Sequence, residues 1–353
     1  MKTWKDVRFD TMFTVEQALL AARRASEGKR RRTVVQQYLS NKNLVEKLVD
    51  ELHDGTYRPQ PTLPHRIYDH KSAKWRTIVM PAFRDQIVHW MIMLVLQEYM
   101  CKTFIHHTVA AIPGRGPSLA HKSMRHWAKA HKTETRWVVQ ADVKQFYASI
   151  DHDLLMAMLA RRIRDRRVLA VIRLIVDQCE KGLPLGFYLS QWLANFYLCA
   201  FDHHVKERLG VKQYVRYVDD MVFAVRTKSD AIRVVESVKN ELSKLRLRIK
   251  ESGQGALRVF RWANVGCVDF VGVRTHRDGF QELRKKTYLA IRRLMARIEK
   301  KQGASISQAR SLLSRRGFVL HTDSRTFLAE MERIIRRYRL KRMVSNYAKH
   351  NAA

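Results

Sequence analysis

The amino-acid sequence predicts an α+β chain: a split β-α-β sheet with helices over one face, followed by a basic helical module. Two observations predict it. Apolar, β-branched runs such as W-V-V-Q-A-D-V (137–143) and Y-V-R-Y-V (214–218) alternate with stretches of helical character. The last part, 281–353, holds 19 Lys and Arg against 5 Asp and Glu, with helical periodicity in Y-L-A-I-R-R-L-M-A-R-I and F-L-A-E-M-E-R-I-I-R-R-Y. With 353 residues, 46% of them hydrophobic, the chain can bury a core and form two or three domain-sized units.

In chain order, residues 14–54 read as helical, with Thr14 as N-cap and the basic run G-K-R-R-R (28–32) as an interruption. The breaker-rich D-G-T-Y-R-P-Q-P-T-L-P marks a change of element. A β-hairpin follows, with Arg66–Tyr68 and Trp75–Met80 as strands and Lys71 and Lys74 near the tip. Pro81 closes it, and an apolar helix over about Asp85–Met100 packs behind. After the strand at 137–143, Asp151–Arg167 is expected to be one helix with Leu154, Leu155, Met158 and Leu159 on one face. Gly182–Gly186 is a loop around Pro184, and Ser190–Leu209 a long helix. The run Y-V-R-Y-V-D-D-M-V-F-A-V (214–225) predicts a hairpin with Asp219 and Asp220 at its tip. A helix at 229–245 and short strands R-L-R-I-K (246–250) and V-D-F-V-G-V-R (268–274) complete this part.

The charge balance narrows the function classes. Lys and Arg number 67 against 33 Asp and Glu, a formal charge of +34, so the surface attracts polyanions. Nucleic acid is the first candidate, an acidic membrane surface the second. Cys101, Cys179, Cys199 and Cys267 form no C-x-x-C pair, which argues against a zinc ribbon or a disulfide framework. His106-His107 and His203-His204 are adjacent pairs whose side chains diverge, and His121, His126 and His131 miss the i, i+4 face. The start, M-K-T-W-K-D-V-R-F-D, has no apolar signal core, and no run reaches the length of a membrane span. A cytoplasmic protein without a membrane partner is the expectation.

Two adjacent aspartates in an apolar hairpin satisfy ordinary turn chemistry, and Asp142 alone could be a cap or turn residue. Together the three suit a different role. Joining nucleotides uses two divalent cations about 3.5–4 Å apart, held by oxygen ligands that converge from separate elements. Asp142 ends an apolar strand, 77 positions before Asp219, so adjacent strands of one sheet could bring them together. In this reading Asp142 and Asp219 bridge both ions, Asp220 assists, and the carbonyl of Val143 adds a ligand.

The segments D-V-K-Q-F-Y-A-S-I-D-H-D-L-L, G-L-P-L-G-F-Y-L-S-Q-W-L-A-N-F-Y-L, Y-V-R-Y-V-D-D-M-V-F and D-F-V-G-V resemble, in order and spacing, the palm motifs of reverse transcriptases. K-W-R-T-I-V-M-P-A-F-R-D-Q-I-V-H resembles their finger segment, so the likeness covers about residues 20–345. It implies a right-hand polymerase with fingers at 1–135, a ferredoxin-like palm at 136–280 and a helical thumb at 281–353. It makes Asp142, Asp219 and Asp220 the catalytic, metal-binding carboxylates, with Mg²⁺ as cofactor and Mn²⁺ as its substitute. Arg76, with Lys74 or Lys71, takes the incoming triphosphate. Tyr147 packs under the sugar and disfavours a 2′-hydroxyl, while Gly186, Ser190 and Gln191 support the nucleotide and templating base. Lys250 takes the place of a general acid for pyrophosphate, and Phe270 with Gly272 that of the primer grip.

Leu185-Gly186-Phe187-Tyr188-Leu189-Ser190-Gln191 departs from the family's Q-G-x-x-x-S-P. Its Ser-Gln ending resembles diversity-generating retroelement enzymes and several uncharacterised or phage-defence bacterial lineages, the motif style as a whole also resembles group II intron-like enzymes, and the Gln-to-Leu exchange implies reduced fidelity. The implied partners are an RNA template, non-coding or retroelement-encoded, together with a DNA product and dNTPs. An accessory protein or a homo-oligomer stays open. Two other readings stand beside this one: a catalytically idle RNA-binding scaffold of the same fold, and a polymerase whose synthesis is untemplated or DNA-templated.

Overall fold

A computed structural model describes residues 3–69, 74–253 and 255–350. Lys71 lies outside the described residues, as do the side chains of Lys74 and Arg76. The chain forms two compact units, each assembled from three segments: Met1–Ala111, Val143–Arg208 and Val238–Lys250 in the first, Ile112–Asp142, Leu209–Ser237 and Glu251–Ala353 in the second.

The first unit is mainly helical. Thr14 caps Val15–Ala25 as its hydroxyl accepts the Gln17 N–H at 3.2 Å. That helix presents Ala18, Ala21, Ala22 and Ala25 to Phe83–Thr103, small side chains that allow close approach. Phe83–Thr103 buries residues around much of its circumference, among them Ile87, Val88, Met91, Ile92 and Leu96, and serves as the unit's central pillar. The basic run near 28–32 interrupts the helices as expected, before Thr33–Ser40 and Lys42–His53. Strands β1 (Leu63–Asp69) and β2 (Lys74–Met80) pair as the antiparallel hairpin.

Three expected elements of this unit differ. Asp151–Arg167 is two helices, His152–Ala160 and Arg166–Val176. The second has its own N-cap, Asp165, whose carboxylate accepts the Arg167 N–H at 2.9 Å and so starts a new helix direction. The long helix expected over Ser190–Leu209 begins earlier and is broken at Leu198, running as Tyr188–Tyr197 and Cys199–His203, with a π-helical turn over His204–Arg208. The 246–250 run is no strand. Arg246 takes a left-handed φ of 56°, Leu247 N–H returns to Leu242 O to close the preceding helix, and Ile249 alone bridges Val143.

The second unit is built on a four-stranded antiparallel sheet in the order β4-β5-β3-β6, with β3 at Trp137–Asp142, β4 at Gln213–Tyr217, β5 at Asp220–Val225 and β6 at Arg258–Arg261. β5 is buried over Met221–Val225, which is why it reads as an unbroken apolar run. Tyr214 stacks on Phe223 across the β4–β5 pair with ring centroids 4.7 Å apart. The run at 268–274 is not one strand but a tight hairpin of β7 (Cys267–Phe270) and β8 (Val273–His276), extended by β9 (Gln281–Leu283). The basic C-terminal part folds into helices Lys285–Lys300, Ile306–Leu320, Arg325–Arg337 and Leu340–His350. They enclose a core that includes Ile291, Met295, Ile298, Leu312, Met331, Ile334 and Leu340. Among the described residues no helix is long and apolar enough to cross a membrane.

Candidate active site

The second unit brings the aspartates together through strand register. β3 pairs with β5 so that Asp142 stands directly opposite Asp220. Opposed residues of an antiparallel pair project to the same face with Cβ atoms about 4.5–5.5 Å apart, so two carboxylates share one end of the sheet. Asp219 follows Val218 in the two-residue turn that joins Tyr217 to Asp220. Like charges at this spacing resist joint ionisation. Burial first, then Asp142 and Asp219, push the Asp220 carboxyl up to about 8, with Arg284 opposing the rise. Arg284 Nε is 2.5 Å from Asp269 Oδ1, and Gln140 donates to the Asp269 carbonyl at 2.9 Å, tying β7 to β3.

This electrostatic situation suits a divalent cation, because a cation removes the penalty that otherwise keeps Asp220 protonated. Among the described residues no three His, Cys, Asp or Glu side chains already form a metal cage. Magnesium does not need one, since it commonly binds through one or two carboxylates, water and substrate phosphate. The residues present therefore fit the ion.

Two residues that the sequence reading passed over support the carboxylates. Arg216 is fully buried in β4, and its guanidinium donates to the Val218 carbonyl at 2.7 Å. Val218 has φ +58°, a left-handed conformation unfavourable for a β-branched residue. The bond thus holds a strained turn next to Asp219. The sequence signal was its phase: Arg216 shares a strand face with the buried Tyr214. Gly255 is the second. A Cβ there would lie 2.4 Å from Asp142 Oδ2, so the close approach of this loop to the carboxylate requires glycine. The signal was the G-Q-G spacing at 253–255.

Phe270 is 1% exposed and belongs to the core. The tip beyond it, Val271 and Gly272, has φ values of +46° and +86°, as a primed hairpin turn requires, so the accessible part of this site is the turn and not the Phe270 ring.

The first unit gathers the expected nucleotide-side residues by itself. Leu183 N–H donates to Tyr147 O at 2.7 Å, and Val79 N–H in β2 donates to Leu185 O at 2.7 Å. A Cβ on Gly182 would stand 2.2 Å from Tyr147 O, and one on Gly186 would stand 2.4 Å from Val79 O. The loop at 182–186 is therefore clamped between the Tyr147 segment and the strand that carries Lys74 and Arg76. Tyr147 is half-buried. Ser190 is buried in the first turn of Tyr188–Tyr197, while Gln191 beside it is exposed. Val143, through its bridge to Ile249, neighbours the segment that ends in Lys250.

An antiparallel sheet ending in opposed carboxylates, with a third in the adjoining turn, is the palm arrangement of right-hand polymerases that the motifs resemble. The chain belongs to the reverse transcriptase (RNA-dependent DNA polymerase) family, whose model matches residues 67–257. Protein YkfC of Escherichia coli is 28% identical over 173 residues, 46% of this chain and 45% of that protein. The group II intron-encoded protein LtrA of Lactococcus lactis is 28% identical over 171 residues, 46% of this chain and 28% of the relative. The retron Ec73 reverse transcriptase of Escherichia coli is 22% identical over 189 residues, 50% of this chain and 57% of the relative. The chain thus matches less than two thirds of the length of each. Among solved structures, apo telomerase from Candida tropicalis, truncated from its C-terminal domain, superposes with a TM-score of 0.50 at 11% identity. That likeness covers 69% of this chain and 60% of the other, and it concerns the fold.

Proposed function

We propose that this chain is an RNA-directed DNA polymerase that extends a primer with dNTPs on an RNA template. The observation that carries the proposal is the register pairing of Asp142 with Asp220 beside Asp219, with Asp220 held protonated to about 8 until a cation arrives. Asp142, Asp219 and Asp220 would hold Mg²⁺, or Mn²⁺ in its place, with the Val143 carbonyl as a further oxygen. The bound ions supply activation of the attacking hydroxyl and neutralisation of the leaving pyrophosphate.

The remaining roles belong to the chain's own side chains. Arg76 and Lys74 bind the triphosphate as charge-assisted donors. Tyr147 forms the floor under the sugar and selects deoxynucleotides, and Gly186 permits the tight loop that, with Ser190 and Gln191, sets the base pair in place. Lys250 donates a proton to pyrophosphate, and the Val271–Gly272 turn with Phe270 behind it positions the primer end. In this assignment 1–135 are the fingers, 136–280 the palm and 281–353 the thumb. The Ser190-Gln191 signature favours a bacterial retroelement or anti-phage defence system acting in the cytoplasm on a dedicated non-coding RNA, with Leu185 lowering fidelity.

The test is primer extension on RNA and DNA templates by the purified protein and by its Asp219→Asn/Asp220→Asn variant. The wild type is expected to extend on RNA with Mg²⁺, and the variant to fall below detection while still binding RNA. Synthesis by the double variant would defeat the site. Activity confined to DNA templates would replace the substrate assignment, and no synthesis by either protein would favour the idle scaffold.

A further inference from the structure

Within the first unit one histidine is aimed at the loop that carries Gly186. Asp151 caps His152–Ala160 by accepting the Leu154 N–H at 2.9 Å, which fixes where the first helical residue, His152, stands. The His152 side chain is 11% exposed. Its Nε2 lies 2.6 Å from Gly182 O, and since a carbonyl only accepts, that nitrogen carries a proton and donates. Nδ1 lies 3.1 Å from Asp177 Oδ1, and Arg173 Nε holds the other oxygen of the same carboxylate at 2.6 Å. One nitrogen thus stands against an ion-paired carboxylate and the other against a loop carbonyl.

The target is the peptide between Gly182 and Leu183. Its carbonyl takes the His152 bond and its N–H donates to Tyr147 O at 2.7 Å, so one peptide plane is held from both ends. Gly182, at φ +71°, has the rotational freedom to turn that plane over, and such a turn would break both bonds at once. No larger residue can stiffen the position, because a Cβ at 182 would stand 2.2 Å from Tyr147 O. Restraint has to come from outside the loop, and His152 provides it. A ring that served only to pack would need no nitrogen on the carbonyl.

We propose that His152 is a positioning residue for nucleotide selection: its hold on the 182–183 peptide keeps Tyr147 and the Gly186 loop in the arrangement that admits a deoxynucleotide. This rests on the polymerase reading, in which Tyr147 and Gly186 face the nucleotide. His152 touches no reacting atom in this role. It acts through the backbone bond to Tyr147, so its removal should change how tightly and how selectively a nucleotide is held and leave the rate of the bound complex unaltered.

Two amide replacements separate the contacts. In His152→Gln the side-chain nitrogen takes the place of Nε2 and keeps the Gly182 bond, whereas in His152→Asn it takes the place of Nδ1 and reaches only towards Asp177. In steady-state primer extension by the full chain, His152→Asn should raise the dNTP KM about five-fold, the factor expected for one net hydrogen bond, with kcat unchanged. Its preference for dNTP over rNTP should fall as well. His152→Gln should recover most of both losses. Hydrogen exchange in the nucleotide-free protein supplies a readout independent of synthesis: the Leu183 N–H should exchange faster in His152→Asn than in the wild type or His152→Gln. A His152→Asn protein with the wild-type KM and discrimination, or equal defects in both variants, would overturn the assignment, while extension by the wild type left the polymerase reading standing. Faster Leu183 exchange in a protein that extends no primer would strike the nucleotide role together with that reading and leave only the hold on the peptide.

Discussion

Two tight turns in the second unit solve one steric problem in different ways. Both open on a valine with positive φ, Val218 at 58° and Val271 at 46°. In the β7–β8 turn, Val271 is followed by Gly272 at φ 86°, so the second position costs nothing and local geometry suffices. In the β4–β5 turn the second position is Asp219, and the turn relies on a buried arginine two residues back to hold the Val218 carbonyl. A turn that presents no side chain at its second position can use glycine there. One that carries a carboxylate needs support from below.

Arg216→Met should lower the extension rate by about 100-fold, as expected when reacting groups shift by roughly 1 Å. Adding Val218→Gly should recover a large part of that loss, since glycine takes the turn without strain or a brace. Steady-state kinetics on both proteins would check this. Equal defects in the single and double variants would mean that Arg216 serves only as core packing.

A smaller effect concerns stability without metal. The Asp220 carboxyl is raised to about 8 in the folded chain, well above its unfolded range near 3.8. Folding therefore takes up a proton between these values. The stabilising contribution of protonated Asp220 is complete at low pH and is lost as pH rises through about 8. In EDTA the melting temperature should fall from pH 6 to pH 8.5, Mg²⁺ should offset the fall, and Asp220→Asn should flatten it. A metal-free wild type with the pH profile of Asp220→Asn would contradict the raised carboxyl.

The smallest expected effect is at the other turn. Val271→Gly should raise stability by up to about 1 kcal/mol through relief of the left-handed valine, offset by the greater freedom of glycine in the unfolded chain. Thermal denaturation would measure it. A drop in activity comparable to that of Arg216→Met would show that both turns depend on exact side-chain support.

What was legible in the sequence follows from which forces are local. The β3 and β5 strands announce themselves because burial makes them continuous apolar runs, and Asp142, Asp219 and Asp220 stand out against that background. β6 was missed because R-V-F-R is a charged and largely exposed strand that takes its conformation from pairing with β3. The 246–250 run misled in the opposite direction, since its alternation suits a strand while its first residues serve to end a helix. Arg216 and Gly255 could be noticed by phase and spacing, but their roles depend on contacts with Val218 O and Asp142 Oδ2 that only tertiary structure creates.

The place of β3 within its sheet also bears on how the protein is made. Both strands that flank it, β5 and β6, come later in the chain. During synthesis at about 5–20 residues per second, the strand ending in Asp142 waits on the order of ten seconds for its first partner to emerge. Through that interval an apolar strand with two open edges is available to other nascent chains. Expression yield should consequently respond to chaperone supply and lower growth temperature more than the stability of the finished sheet would suggest.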